Sequence, residues 1–219
     1  MVTTMRRKPT LIYTLLLLVA LTPCHADEIV VGQFSQGDLN GWQEKSFAGH
    51  TQYQIISSAP GKVLQANSYG AASGLFKEVT IDLTKTPWLN WSWRIDNTLN
   101  GNNERTKQGD DYPARVYVIV SGGLFFWKTL ALNYVWSNQQ AVNSEWDNPF
   151  TRSAKMVAVR SGAAEAGSWV SQKRNVREDL KRVFGKDIKE IHAVAVMTDS
   201  DNTDATTTAM YGDLFFSSK

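Results

Sequence analysis

The sequence predicts an all-β chain, a jelly-roll-like antiparallel β-sandwich with one short peripheral helix at about 175–184. Three observations carry that expectation. Apolar and polar residues alternate with period two in many short segments. Those segments are bounded by Gly, Asn, Asp, Ser and Pro, and one stretch alone carries a convincing helical period. Many short strands with little helix are the pattern of two packed sheets.

The chain is expected to open on a leader. Arg6, Arg7 and Lys8 precede the apolar run LIYTLLLLVAL and then TPCHAD, the order of a secretory signal, and the run is too short to span a bilayer comfortably. Cleavage is expected after Ala26, which makes 1–26 a signal peptide and 27–219 a single β-sandwich domain in the periplasm or secreted. A lipoprotein box at Cys24 is the competing reading, and Pro23 fits it poorly. Cys24 is the sole cysteine, so the exported form has no disulfides and depends on its core. Loss of the leader takes three bases from the 23 Lys+Arg and leaves 20 against 21 Asp+Glu. That near-neutral balance offers no basic stripe for nucleic acid, and no second apolar run suggests a transmembrane segment.

Strands are expected near 29–34, 41–47, 51–57, 62–67, 72–82, 88–96, 113–121, 126–137, 155–160, 188–198 and 207–217. Gly37, Asp38, Asn40 and Gly41 in FSQGDLNGW form a tight turn between the first two. In NVREDLKRVFG, Asn175 can cap a helix, Glu178 sits at the capping-box position and Gly185 stops it. Val176, Leu180, Val183 and Phe184 give that helix one apolar face.

The segment WLNWSWRID puts Leu89, Trp91, Trp93 and Ile95 on one face and Asn90, Ser92, Arg94 and Asp96 on the other. Burial is the cheaper place for such aromatic area, so the two tryptophans are core residues. In ARVYVIV, Ala114, Val116, Val118 and Val120 form the apolar face, with Arg115, Tyr117 and Ile119 opposite. If the two strands are neighbours, Arg94 and Arg115 stand close together, and Arg160 joins them if the register allows. Guanidinium forks suit carboxylates, sugar hydroxyls or uronates. The plain alternative is an internal arginine–aspartate network that binds nothing.

Two long polar connections carry the candidate site, because loops of that length commonly serve as lids or binding loops. Residues 97–112 hold Asp110 and Asp111; residues 137–153 hold Trp146 and Phe150 among amides and acids. Asp110 and Asp111 are candidate acceptors or cation ligands, and Trp146 a stacking surface for a sugar ring. In TDSDNTD, Asp199 and Asp201 are the candidate metal ligands, with calcium the cation. The sequence lacks the glycine and the later glutamate of an EF-hand, so a turn held by Asx hydrogen bonds is the simpler reading. There is no H-E-x-x-H, no G-x-S-x-G and no phosphate-cradling loop, which argues against zinc, serine-hydrolase and phosphoryl chemistry. No organic cofactor is expected.

The motifs LNWSWRID, GDDYPARVYV, NVREDLKRVFG and MTDSDNTD…YGDLFF resemble, across essentially the whole exported length, the bacterial family catalogued as domain of unknown function 3047. That resemblance implies a secreted β-sandwich and no particular catalytic residue. More loosely, the GDLNGW opening and the strand pattern look like galactose-binding-type carbohydrate-binding modules, an analogy of fold. The expectation is a non-catalytic binding protein for a glycan or related polar ligand, using Arg94, Arg115, Tyr117, Asp110, Asp111, Trp146 and Arg160. The alternatives are a glycoside hydrolase or polysaccharide-cleaving enzyme pairing Asp110 or Asp111 with Glu104 or Glu145, and an envelope protein-interaction module marked by an exposed apolar patch.

Overall fold

The computed structural model describes Met1 and residues 27–59, 61–99, 103–123 and 128–219. The expected signal peptide, and Cys24 with it, lie outside the described residues. Among the described residues, thirteen strands form two sheets. They are β1 (Glu28–Gly32), β2 (Trp42–Ala48), β3 (Gln52–Ser58), β4 (Gly61–Tyr69), β5 (Ala72–Asp82), β6 (Trp88–Ile95), β7 (Ala114–Val120), β8 (Leu130–Ser137), β9 (Glu145–Asn148), β10 (Thr151–Ser161), β11 (Val170–Asn175), β12 (Glu190–Asp199) and β13 (Thr206–Ser217). One sheet runs β11-β6-β13-β4-β3 with β1 also on β13; the other runs β2-β5-β12-β7-β8-β10-β9. The chain is a jelly-roll-like β-sandwich, with one α-helix among the described residues, α1 (Val176–Phe184).

All eleven expected strands are present, with residues 126–127 of the eighth outside the described set. Two more, β9 and β11, were invisible to the pattern. Both are edge strands, paired on one side only, and EWDN and VSQKRN carry too little apolar alternation to announce themselves. One ladder departs from antiparallel: β10 runs parallel to β8. After β8 the chain passes to the sheet margin, returns as β9, reverses at Asn148–Thr151 and lays β10 between its two predecessors.

The core lies where the alternation puts it. Leu89, Trp91, Trp93 and Ile95 of β6 are buried, as are Ala114, Val116 and Val118 of β7. Trp91 meets Trp93 edge-on at 5.4 Å, Trp91 meets Tyr134 of β8 at 5.4 Å, and Trp93 meets Trp136 of β8 at 6.0 Å. These aromatic contacts stitch one sheet to the other and add to the area term. The helix closes an end: Asn175 Oδ1 accepts from Glu178 N at 3.2 Å, Gly185 takes φ 67°, and Val176 and Leu180 are fully buried.

The supposed pairing of Arg94 with Arg115 fails here. Their side chains do point away from the core, but β6 and β7 belong to different sheets, so the two guanidiniums lie on opposite outer faces of the sandwich. Residue alternation fixes the face of a strand and leaves its neighbours undetermined.

Candidate functional site

The outer face of the seven-stranded sheet carries a cleft of about 480 Å³ at the end near the 103–112 and 148–154 segments. Its floor comes from β7, β8 and β12, where Arg115, Tyr117, Asn133 and Met197 point outward, and its sides from Phe47, Asp110, Asn148, Phe150, Asp201 and Asn202. Phe47 and Phe150 are 65% and 56% exposed, unusual for phenylalanine. The cleft runs on along the sheet into a neighbouring hollow of about 320 Å³, which shares Phe47, Tyr117 and Met197 and has Gly74, Ala131 and Ala195 as its low floor.

Arg115 is the hub beneath this cleft, buried rather than presented to it. Its Nε donates to Asp199 Oδ1 at 2.8 Å and its Nη2 to Asp199 Oδ2, a two-pronged pair. Nη2 also donates to the Asp110 carbonyl at 2.6 Å and Nη1 to Tyr117 Oη at 3.3 Å, while the guanidinium stacks on Tyr112 at 4.3 Å. Burial alone would pull the arginine pKa down; Tyr117, Asp110, Tyr112 and Asp111 outweigh it and hold it above its ordinary value. Asp111 is also buried and accepts from the backbone N–H groups of Asn202 and Thr203 and from Thr203 Oγ1, fixing the turn after β12.

Two acceptors lining the cleft have no hydrogen-bond partner among the described residues. Asn133, 1% exposed, turns Nδ2 to the Lys155 carbonyl at 3.3 Å and leaves Oδ1 without a donor. Asp110, 6% exposed, receives Asn148 Nδ2 on Oδ2 at 2.8 Å and leaves Oδ1 without one. Burial pushes the Asp110 carboxyl above the usual carboxylate range, against the pull of Arg115. Buried polar atoms are normally satisfied, so this pair of orphans is a distinctive feature of the cleft wall.

Asp111, Asp199 and Asp201 bring carboxylate oxygens within 4.8 Å of one another. The sequence paired Asp199 with Asp201; the fold adds Asp111, which lies almost ninety residues earlier. Burial, then the charge of Asp111, raises the Asp201 pKa.

The remaining expected site residues go elsewhere. Arg94 pairs with Asp96 at 3.2 Å on the other sheet, and Arg160 pairs with Glu165 at 3.2 Å outside the cleft. Trp146 is 7% exposed and packs against Tyr112 at 6.4 Å, with Arg105 over it at 5.2 Å. It belongs to a small cluster with Val135, Met156 and Ala158 under the 103–112 segment and offers no open stacking face. Sequence reasoning read it as a loop residue because β9, which carries it, lacks a strand pattern. Phe47, Asn133 and Asn148 were missed. Phe47 alone left a signal, an aromatic near the end of a strand whose middle residues, Gln43, Glu44, Lys45 and Ser46, are polar.

No curated protein matches the chain by sequence. Among solved structures, the family 30 carbohydrate-binding module of the cellulosomal cellulase Cel9D-Cel44B of Clostridium thermocellum is similar with TM-score 0.51 and 9% identity, over 88% of this chain and 98% of that one. The family 11 module of cellulase Lic26A-Cel5E from the same organism gives TM-score 0.47 and 10% identity over 87% and 94%. The cellulase Cel12A derived from Rhodothermus marinus gives 0.46 and 7% over 87% and 99%. At such identities the first of these speaks for the fold alone. Residues 40–215 match the family described as Protein of unknown function (DUF3047), and the chain belongs to that family.

Proposed function

We propose that the protein is an exported, non-catalytic binding protein whose ligand is a neutral glycan lying in the cleft over Arg115. The observation that carries this reading is the pair of orphaned acceptors, Asp110 Oδ1 and Asn133 Oδ1, because both call for hydrogen-bond donors and a sugar offers hydroxyls at ring spacing. Phe47 and Phe150 supply apolar faces beside them, and Tyr117 a phenol. Arg115 and Asp199 hold this constellation rigid from below and leave ligand contact to their neighbours. Solved neighbours named as carbohydrate-binding modules are a precedent for the architecture; the proposal rests on the cleft.

Turnover is disfavoured by the state of the acids once considered for it. Glu104 is buried and accepts from Ser137 Oγ and Asn138 N, both at 2.6 Å, and Glu145 is tied to Arg182 at 2.5 Å. The test is a glycan array on the purified protein, followed by calorimetry on the best ligand. Saturable binding lost in Asn133→Ala supports the proposal; flat responses across all glycans overturn it, and release of shorter products overturns its non-catalytic part. The exported part is tested by cell fractionation and N-terminal sequencing, with Asp27 expected as the first residue.

A second reading adds a hard cation to the same region. Asp110, Asp199 and Asp201 line the cleft with Arg115, and Asp111 has a carboxylate oxygen within 4.8 Å of those of Asp199 and Asp201, an excess of negative charge that calcium would relieve with oxygen ligands. Asp199 is already engaged by Arg115, so Asp111 and Asp201 would be the principal ligands. Calcium should raise the melting midpoint of the protein and lose that effect in Asp201→Asn; equal midpoints in calcium and chelator would remove the cation from the proposal.

A further inference from the structure

The opposite face of the sandwich carries a second groove, of about 490 Å³, that none of the foregoing uses. It lies on the six-stranded sheet, where Asn90 and Ser92 point outward between the buried Leu89, Trp91 and Trp93. Its geometry is built rather than incidental. β11 and β3 are opposite edges of this sheet, four strand spacings or about 19 Å apart in a flat arrangement. Yet Trp169, just before β11, donates its indole N–H to the carbonyl of Ala59, just after β3, at 3.0 Å. Ala59 and Trp169 therefore meet over the sheet face, and the bond fixes the orientation of the indole that walls the groove.

A bulge in β13 shapes the floor. Tyr211 pairs with Trp93 and Leu214 with Trp91, so Gly212 and Asp213 together oppose Ser92. A Cβ on Gly212 would stand 2.3 Å from Ser92 Oγ, so only glycine leaves this floor flat without moving the serine. Phe215, beyond the bulge, offers a half-buried ring to the same space.

The charge here has the sign opposite to that of the first cleft. Lys62 and Lys173 line the groove, and neither makes an ion pair among the described residues. Asp213, the one acid among its lining residues, accepts from Ser35 N at 2.8 Å and Ser35 Oγ at 2.5 Å, bonds that hold the carboxylate in place without removing its charge. Two lysines, two aromatic rings, Ser92 and Ser171 thus line one groove in which bases outnumber acids two to one, and the Lys173 ammonium rests 5.3 Å over the Trp88 ring. We propose that this groove is a second binding site, for an anionic sugar. The ring of a uronate or sulfated residue stacks on Trp169 and Phe215, and its acidic group sits between Lys62 and Lys173. With a neutral chain in the other cleft, the protein would hold two different glycans on opposite faces.

The experiment is calorimetry of the whole protein with trigalacturonate, with the neutral galactose trimer and with a sulfated disaccharide. One equivalent of at least one anionic probe is expected, weakened about tenfold or more by Trp169→Ala and by the exposed pair Lys62→Glu/Lys173→Glu, and unaffected by Phe47→Ala. Preference between the two anionic probes identifies the acidic group. Thermal melts check that the variants fold, and the double lysine variant tests the site even if Trp169→Ala frees the segment at Ala59. Absence of binding by both anionic probes, equal affinity for the neutral trimer, or full affinity in the lysine variant would overturn the second site. Loss in Phe47→Ala would place the anion in the first cleft instead.

Discussion

Arg115 on β7 and Asp199 on β12 form a buried, two-pronged ion pair beneath the cleft, with the two side chains 4% and 2% exposed. Register sets it up: Met197 is the direct cross-strand partner of Arg115, so Asp199 is the diagonal neighbour two residues on, within reach of a long side chain. The pair is an internal arginine–aspartate network, and it lies beneath the cleft.

Breaking this pair should be costly. Arg115→Ala is expected to lose about 3–5 kcal/mol of stability, because Asp199 is left buried without its counter-charge. Urea unfolding measures it, and Arg115→Met with Asp199→Leu should cost clearly less than Arg115→Ala. Equal losses would mean that the cation stacking on Tyr112, rather than the ion pair, dominates.

The Asp110 carboxyl gives a pH signature. Its folded pKa lies above the unfolded one because burial penalises the anion, so the ionised group works against folding at neutral pH and that penalty disappears as pH falls below the ordinary carboxylate range. Asp110→Asn should therefore raise the melting midpoint at pH 7, with the gain shrinking toward acid pH. A variant less stable than the parent at every pH would show that the charge of Asp110 is needed by Arg115.

Phe47 and Phe150 are exposed, so their replacement by alanine should move stability by less than about 0.5 kcal/mol. Binding in the cleft should nevertheless weaken about five- to tenfold for each, given roughly 1 kcal/mol for an aromatic contact. Calorimetry beside a thermal melt separates the two effects. Trp146→Ala should do the reverse and cost about 3 kcal/mol or more of stability, since its ring fills the small cluster under the 103–112 segment.

That segment depends on Gly109. A Cβ there would come within 2.4 Å of the Asn103 carbonyl oxygen and 2.6 Å of its carbon, backbone atoms that cannot step aside. Gly109→Ala should cost about 1–3 kcal/mol and shift the amide signals of Glu104 and Tyr112, whose Oη donates to the Glu104 carbonyl at 3.2 Å. An unchanged amide spectrum would contradict the close approach.

Several features needed only local rules. Trp91 and Trp93 declared a core face by period two, and Asn175 and Gly185 declared a helix by its caps, because these signals depend on residues a few positions apart. Burial of one face against the opposite sheet gave the central strands their alternation, whereas β9 and β11, at the sheet edges, had little reason to keep one.

The amino-acid sequence by itself determined that the chain alternates into a β-sandwich with one capped helix, and which face of each strand turns inward. Tertiary structure alone decided which outward residues meet. It sent Arg94 and Arg115 to opposite surfaces, buried Trp146, and drew Asp111 beside Asp199 and Asp201. The physical reason is that a strand's own dihedrals fix the alternation, while strand order rests on many weak long-range contacts summed over both sheets, which no local spacing records.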